Sequence, residues 1–208
     1  MPTPRILATG FSAFPGARRN PTEVLIGGLD VRRLARRFDI DLAATILPTE
    51  YQAVEDILPQ LWTAVRPDAV IHFGLHGRAG QVRIEQRGAN YIRTTPDAAG
   101  RRSGRIAVRP GGPLFHNATL PVTRTVAALR RDGIAATASS DAGGYLCNYA
   151  LYRSLELAPP GAIAGFVHVP WPAEEHAPRA PVRRPAWADL MRAVENTLRT
   201  ATMAVRTG

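Results

Sequence analysis

Two periods of apolar positions run through this 208-residue chain. Short apolar runs bounded by Gly, Pro or polar turns predict buried strands: "RILATGF" (5–11), "IDLAATILP" (40–48), "DAVIHFG" (68–74), "IAATASS" (134–140) and "GAIAGFVHVPW" (161–171). "QVRIEQRGAN" (81–90) alternates enough to predict another strand. Between them the apolar residues fall at helical spacing. "EVLIGGLDVRRLARRF" follows Thr22, and "EYQAVEDILPQLWTAV" predicts a helix disturbed at Pro59. "TRTVAALRRDG" predicts an amphipathic helix stopped by Gly133, "YLCNYALYRSLEL" another, and "PAWADLMRAVENTLRTATMAV" the closing one. "SAFPGARRNPTE" and "PAEEHAPRAPVRRPAW" are loops by their Pro and Gly content or polarity. Residues 94–120 are the least regular part, an excursion with one short strand.

Strands alternating with helices along nearly the whole length predict one α/β domain over residues 1–208. Its sheet is expected to be largely parallel and covered by helices on both faces. No internal repeat or linker divides it. In such sheets, sites gather where strands end and loops turn into helices. Four places qualify: Phe11 to Pro21, Gly74 to Gly80, Ala142 to Cys147, and the surroundings of His168.

Composition narrows the function classes. The net charge is +9, and all 26 basic residues are arginine. The arginines are scattered and no aromatic residues interleave with them, so nucleic-acid binding is not the expected role. One cysteine excludes an internal disulfide and a cysteine-based zinc site, and is consistent with a cytoplasmic setting. "MPTPRILATGFSAFPG" lacks the pattern of a signal peptide, and no apolar run has the length of a membrane span.

That single cysteine, Cys147, lies in "SSDAGGYLCNYALYRSL". Gly143 and Gly144 permit a tight turn, and the helix that follows puts the thiol in its first turn. The unpaired N–H groups there favour a thiolate and can receive oxyanion charge. A buried packing thiol is the competing reading. A nucleophile needs a base and the base an orienter. His76 and His116 lie in irregular segments and His176 in the Pro-rich loop, while His72 sits inside a buried strand as a core residue. His168 ends an apolar strand at Pro170, where loops gather. Glu85, within "VRIEQRGAN", is the carboxylate of choice, because a strand carboxylate is costly to bury unless paired. An outward-facing Glu85 and a rival carboxylate at Asp141 stay open.

Four segments resemble the pyroglutamyl-peptidase I family of cysteine peptidases: "ATGFSAFPGARRNPTE", "GLHGRAGQVRIEQRGAN", "ATLPV" through "DAGGYLCNYALY", and "GFVHVP", in order and with matching spacing. The resemblance implies an α/β/α three-layer sandwich with a mostly parallel mixed sheet. It implies a Cys147–His168–Glu85 triad that removes an N-terminal pyroglutamate from peptides, without metal or cofactor. It also implies a cytoplasmic homo-oligomer, a tetramer or dimer. Phe11 and Phe14 match the phenylalanines that line the family's ring pocket. Tyr145 matches its aromatic residue two before the cysteine, and Leu146 is expected beside it at the substrate ring. Leu75 stands where the family has glutamine, Gln86 where it has arginine, and Arg93 is the nearest candidate for an arginine beside the thiol. Those departures leave two alternatives: a cysteine hydrolase for another N-terminal cap or a small lactam or amide, and a non-catalytic peptide-binding relative.

Overall fold

The structure is a computed structural model that describes residues 2–175 and 184–207. The apolar runs form a six-stranded sheet in the order β2-β1-β3-β8-β4-β7. These strands are β1 (Arg5–Phe11), β2 (Asp41–Leu47), β3 (Ala69–Leu75), β4 (Val82–Glu85), β7 (Ala136–Ser139) and β8 (Ile163–Val169). All neighbouring pairs are parallel except β4 against β8. A separate antiparallel pair joins β5 (Arg87–Ala89) to β6 (Phe115–Asn117).

Strand alternation sorts the side chains into two layers. Ile6, Ala8, Ile71, Phe73, Val82, Ile84, Val167 and Val169 form one core cluster. It is shared with α1 (Pro21–Gly27), α2 (Val31–Phe38), α4 (Val122–Arg131) and α6 (Trp187–Thr207). Leu7, Phe11, Val70, Ala164 and Phe166 face the other way, against α3 (Tyr51–Val65) and α5 (Leu146–Leu157). The result is the expected α/β/α sandwich. It also decides which polar residues share a face: His72, Gly74, Arg83, Glu85 and His168 alternate with the first set and lie on the α3/α5 side.

Three expectations are corrected. The helical stretch 23–38 is two helices, because Gly28 ends the first and the Asp30 carboxylate caps the second by accepting from Arg33 N at 2.9 Å. The first helix is capped by Asn20, whose Oδ1 accepts from Thr22 N at 3.1 Å, and Pro21 occupies the first helical position. The third helix runs unbroken through Pro59, losing only the N–H that Pro lacks, while its buried residues Tyr51, Val54, Leu58 and Trp62 hold it against the core. Finally, "QVRIEQRGAN" is two strands, not one. Gln86 separates β4, in the main sheet, from β5, which turns away to pair with the excursion. The Pro-rich loop expected over 172–187, with His176, lies partly outside the described residues.

Candidate active site

The turn before Cys147 is built as its glycines predict. Gly143 has φ +80°, a left-handed conformation that a side chain resists, and its N–H donates to Asp141 Oδ1 at 2.8 Å. Asp141 is exposed, so its carboxylate shapes the turn and stands away from the histidine. Cys147 is the second residue of α5, whose first turn has no side-chain cap. Asn148, beside it and buried, ties the helix start to β5: its Oδ1 accepts from Ala89 N at 2.8 Å and its Nδ2 donates to Ala89 O at 2.8 Å. Its polarity on an otherwise apolar buried helix face was the signal for this role.

The histidine and carboxylate come from adjacent antiparallel strands. His168 Nδ1–H donates to Glu85 Oε1 at 2.8 Å, with His168 3% exposed and Glu85 0%. That commitment leaves Nε2 for Cys147, with which His168 also hydrogen-bonds. The sulfur lies over the end of β3. A Cβ built on Gly74 would stand 2.8 Å from Cys147 Sγ and 2.6 Å from Phe166 Cζ. Gly74 is the register partner of His168 in the β3–β8 ladder. The glycine therefore makes the space in which thiol and imidazole meet. Burial by itself lowers the affinity of His168 for a proton; the Cys147 thiolate, its hydrogen bond and the Glu85 carboxylate outweigh this, so the imidazole is pushed up to about 9. Electrostatically the site favours the imidazolium form of His168.

The ring-lining candidates divide. Phe14 and Tyr145 are half-buried, 6.2 Å apart between ring centroids. Tyr145 donates from its hydroxyl to Pro96 O at 3.1 Å, joining the nucleophile turn to the excursion. Arg93 does the same through its backbone N–H, which donates to Gly144 O at 2.7 Å; its side chain covers Gly144. Phe11 packs on Phe166 at 6.2 Å, and with Leu146 it lies within the buried cluster. Leu75 ends β3 opposite Val169, half-buried. Gln86 is exposed and accepts from Ser140 Oγ at 2.8 Å.

Two neighbours were not singled out from sequence. Tyr51 stands edge-on to Tyr145 at 5.9 Å, its hydroxyl buried and without a hydrogen-bond partner among the described residues. Burial, then Tyr145 and Asp97, push that phenol upward. No pattern in "TEYQAVED" marks it. Arg83 stands two residues before Glu85, and strand period alone puts both on one face. His76 was noted only for its loop; its ring meets that of His168 edge-on at 5.4 Å. Burial, followed by His168 and Arg83, lowers its proton affinity and keeps it neutral. A cavity of about 650 Å³ lies elsewhere, lined by Arg5, Trp62, Asp68 and Pro159 at the opposite end of the sheet, and holds none of these groups.

A thiol on an uncapped helix start, with an imidazole held by a buried carboxylate, can accept an acyl group and pass it to water. The class is a cysteine hydrolase on an α/β scaffold. More narrowly, the chain belongs to the pyroglutamyl peptidase family, whose sequence model matches residues 4–206. It is 33% identical over 193 residues to a pyrrolidone-carboxylate peptidase of Halalkalibacterium halodurans, covering 91% of this chain and 94% of that one. The Pyrococcus furiosus pyrrolidone-carboxylate peptidase is 32% identical over 175 residues, covering 82% of this chain and 83% of its own length. In structure the chain is similar to the pyrrolidone carboxyl peptidase from Thermococcus litoralis. Their TM-score is 0.85 at 27% identity, covering 94% of this chain and 92% of that one.

Proposed function

We propose that this protein hydrolyses the bond after an N-terminal pyroglutamate of peptides, with Cys147 as nucleophile, His168 as base and acid, and Glu85 as its orienter. The line of hydrogen bonds from Cys147 through His168 to Glu85 carries the proposal. His168 Nε2 takes the thiol proton, and the sulfur attacks the pyroglutamyl carbonyl carbon. N–H groups in the first turn of α5, left uncapped by any side chain, receive the oxyanion charge. The imidazolium gives its proton to the leaving amine as the C–N bond breaks, leaving a thioester. Water then loses a proton to Nε2 and attacks the thioester carbon. The sulfur leaves and recovers the proton, and the free pyroglutamate departs.

The pyroglutamyl ring is flat, uncharged and has one N–H and one C=O, so its pocket wants aromatic walls and few polar partners. Phe14 and Tyr145 supply half-buried aromatic faces beside the nucleophile turn, and Arg93 holds the turn through Gly144. The deciding measurement is release of a fluorescent amine from its pyroglutamyl derivative by wild type and Cys147→Ser. Turnover that survives the substitution overturns the proposal. So does an enzyme that leaves the pyroglutamyl amide intact but cleaves the prolyl one.

The same reading extends to assembly and setting: residues 1–208 act as one catalytic domain in a cytoplasmic homo-oligomer. Ile106, Leu114 and Phe115 along the excursion, with Tyr91 just before it, support assembly, since these large apolar side chains are all exposed, Leu114 by 84%. Sedimentation of Leu114→Asp against wild type checks it, with a smaller particle expected for the variant. Among the described residues no helix is long and apolar enough to cross a membrane.

A further inference from the structure

Glu85 is fully enclosed, with Oε1 taken by His168 and Oε2 without a hydrogen-bond partner among the described residues. A buried carboxylate in that state is costly as an anion unless positive charge stands close. Two cations stand there. One is the imidazolium itself. The other is Arg83, whose Nε lies 3.7 Å from Glu85 Oε1, beyond hydrogen-bond reach but within an ion pair.

Backbone register and one hydrogen bond place the guanidinium. Arg83 is the register partner of His168 across the antiparallel β4–β8 ladder. On the other side its Nη2 donates to Ser139 Oγ at 2.7 Å, and Ser139 is the β7 register partner of Glu85. Three neighbouring strands thus fix one arginine over one carboxylate. Charge balance gives the reason. With Cys147 as thiolate and His168 as imidazolium, Glu85 adds a second negative charge, and Arg83 supplies the second positive one. His76, held neutral edge-on to His168, adds no further charge.

We propose that Arg83 is a positioning residue of this site: its guanidinium, paired with the Glu85 carboxylate, holds it turned toward His168 Nδ1, so that Nε2 is presented to Cys147. This rests on the triad assigned above, and the arginine acts through Glu85.

The test compares Arg83→Met, Arg83→Lys and Ser139→Ala with wild type, using hydrolysis of the pyroglutamyl fluorogenic amide and the downfield NMR signal of the His168 Nδ1 proton. Since the guanidinium holds the carboxylate that orients the histidine, Arg83→Met should lower kcat about tenfold or more and leave KM within about twofold. Its Nδ1 proton signal should move upfield. Arg83→Lys should recover most of both, because an ammonium on that strand face restores the charge. Ser139→Ala unties the arginine without removing it and should fall between. It keeps the test open if the methionine variant does not fold. Wild-type kcat in Arg83→Met, an Nδ1 proton signal that does not move, or a loss that lysine does not recover overturns the role. Cys147→Ser separates the two levels. If it stays active, the triad itself fails; if it is inactive while Arg83→Met is normal, only the arginine's role fails.

Discussion

Two histidines stand on neighbouring strands of the same sheet face, and both are buried. His72, in the middle of β3, is hydrogen-bonded through Nδ1 to Thr9 Oγ1 at 2.6 Å and through Nε2 to Ser154 Oγ at 2.7 Å. Burial lowers it to about 3. His168, at the end of β8, has a thiol and a carboxylate in the corresponding places and is pushed up to about 9. Enclosure is nearly equal for the two, and its effect has the same sign. The difference is what the ring nitrogens meet. Hydroxyls satisfy a neutral imidazole and give no reason to keep a proton, whereas anions make the proton worth keeping against desolvation. Burial thus makes His72 an inert strut between β1, β3 and α5. The same burial makes the charges beside His168 count for more.

The largest break in this contrast should come from Glu85→Gln. It replaces the anion behind His168 with an amide and makes that site resemble the His72 site. By analogy with loss of the orienting carboxylate in other triads, kcat should fall on the order of 10³–10⁴-fold. NMR titration of His168 should show its protonation midpoint moving down from about 9. A midpoint that stays put would mean the thiolate alone holds the proton.

A smaller effect is expected from Gly74→Ala, which leaves both histidines in place but moves the thiol. The added Cβ meets Cys147 Sγ at 2.8 Å and Phe166 Cζ at 2.6 Å, so sulfur or ring must shift. A displacement of that kind at a reacting atom costs on the order of 10²-fold in rate. Steady-state kinetics should put the loss in kcat, and a variant with full kcat would show that the sulfur has room to move.

The smallest effects concern stability, where the two histidines should tilt the pH profile in opposite directions. For His72 the unfolded chain binds a proton below 6.5 that the native state refuses until about 3, so its contribution is lost as pH falls through that window. For His168 the native state keeps a proton up to about 9 that the unfolded chain releases near 6.5, so its contribution is whole below 6.5 and lost as pH rises. Together they place a maximum near 6.5 in guanidinium unfolding measured from pH 4.5 to 9. His72→Leu should flatten the acid side and leave the alkaline side unchanged. A flattened alkaline side instead would show that the assignment of the two slopes is reversed.

Much of this was legible in the residues. The apolar runs gave strands whose bounds match the structure closely, and the Gly-Gly turn before Cys147 announced a helix start. His168 before Pro170 read as a strand end because it is one. The errors came from single residues whose effect depends on packing. Asp30 caps a second helix inside what reads as one pattern, and Pro59 is tolerated because four buried side chains hold α3 down. Gln86 marks the point where one alternating run changes sheets.

The sequence by itself determined the layers and the chemistry available: the strand and helix periods, a lone thiol in a glycine turn, and a strand-end imidazole. It also determined that Arg83 and Glu85 share a face, because period two leaves no choice. Only the tertiary structure decided which strands became neighbours. The order β3-β8-β4, with β4 reversed, is what sets Gly74 beside His168 and His168 beside Arg83. No local pattern encodes that adjacency, since it comes from the joint burial of both sheet faces. With it came the different places of two carboxylates, Glu85 enclosed against the histidine and Asp141 spent on the turn. Two imidazoles in similar apolar strands thereby acquired opposite affinities for a proton.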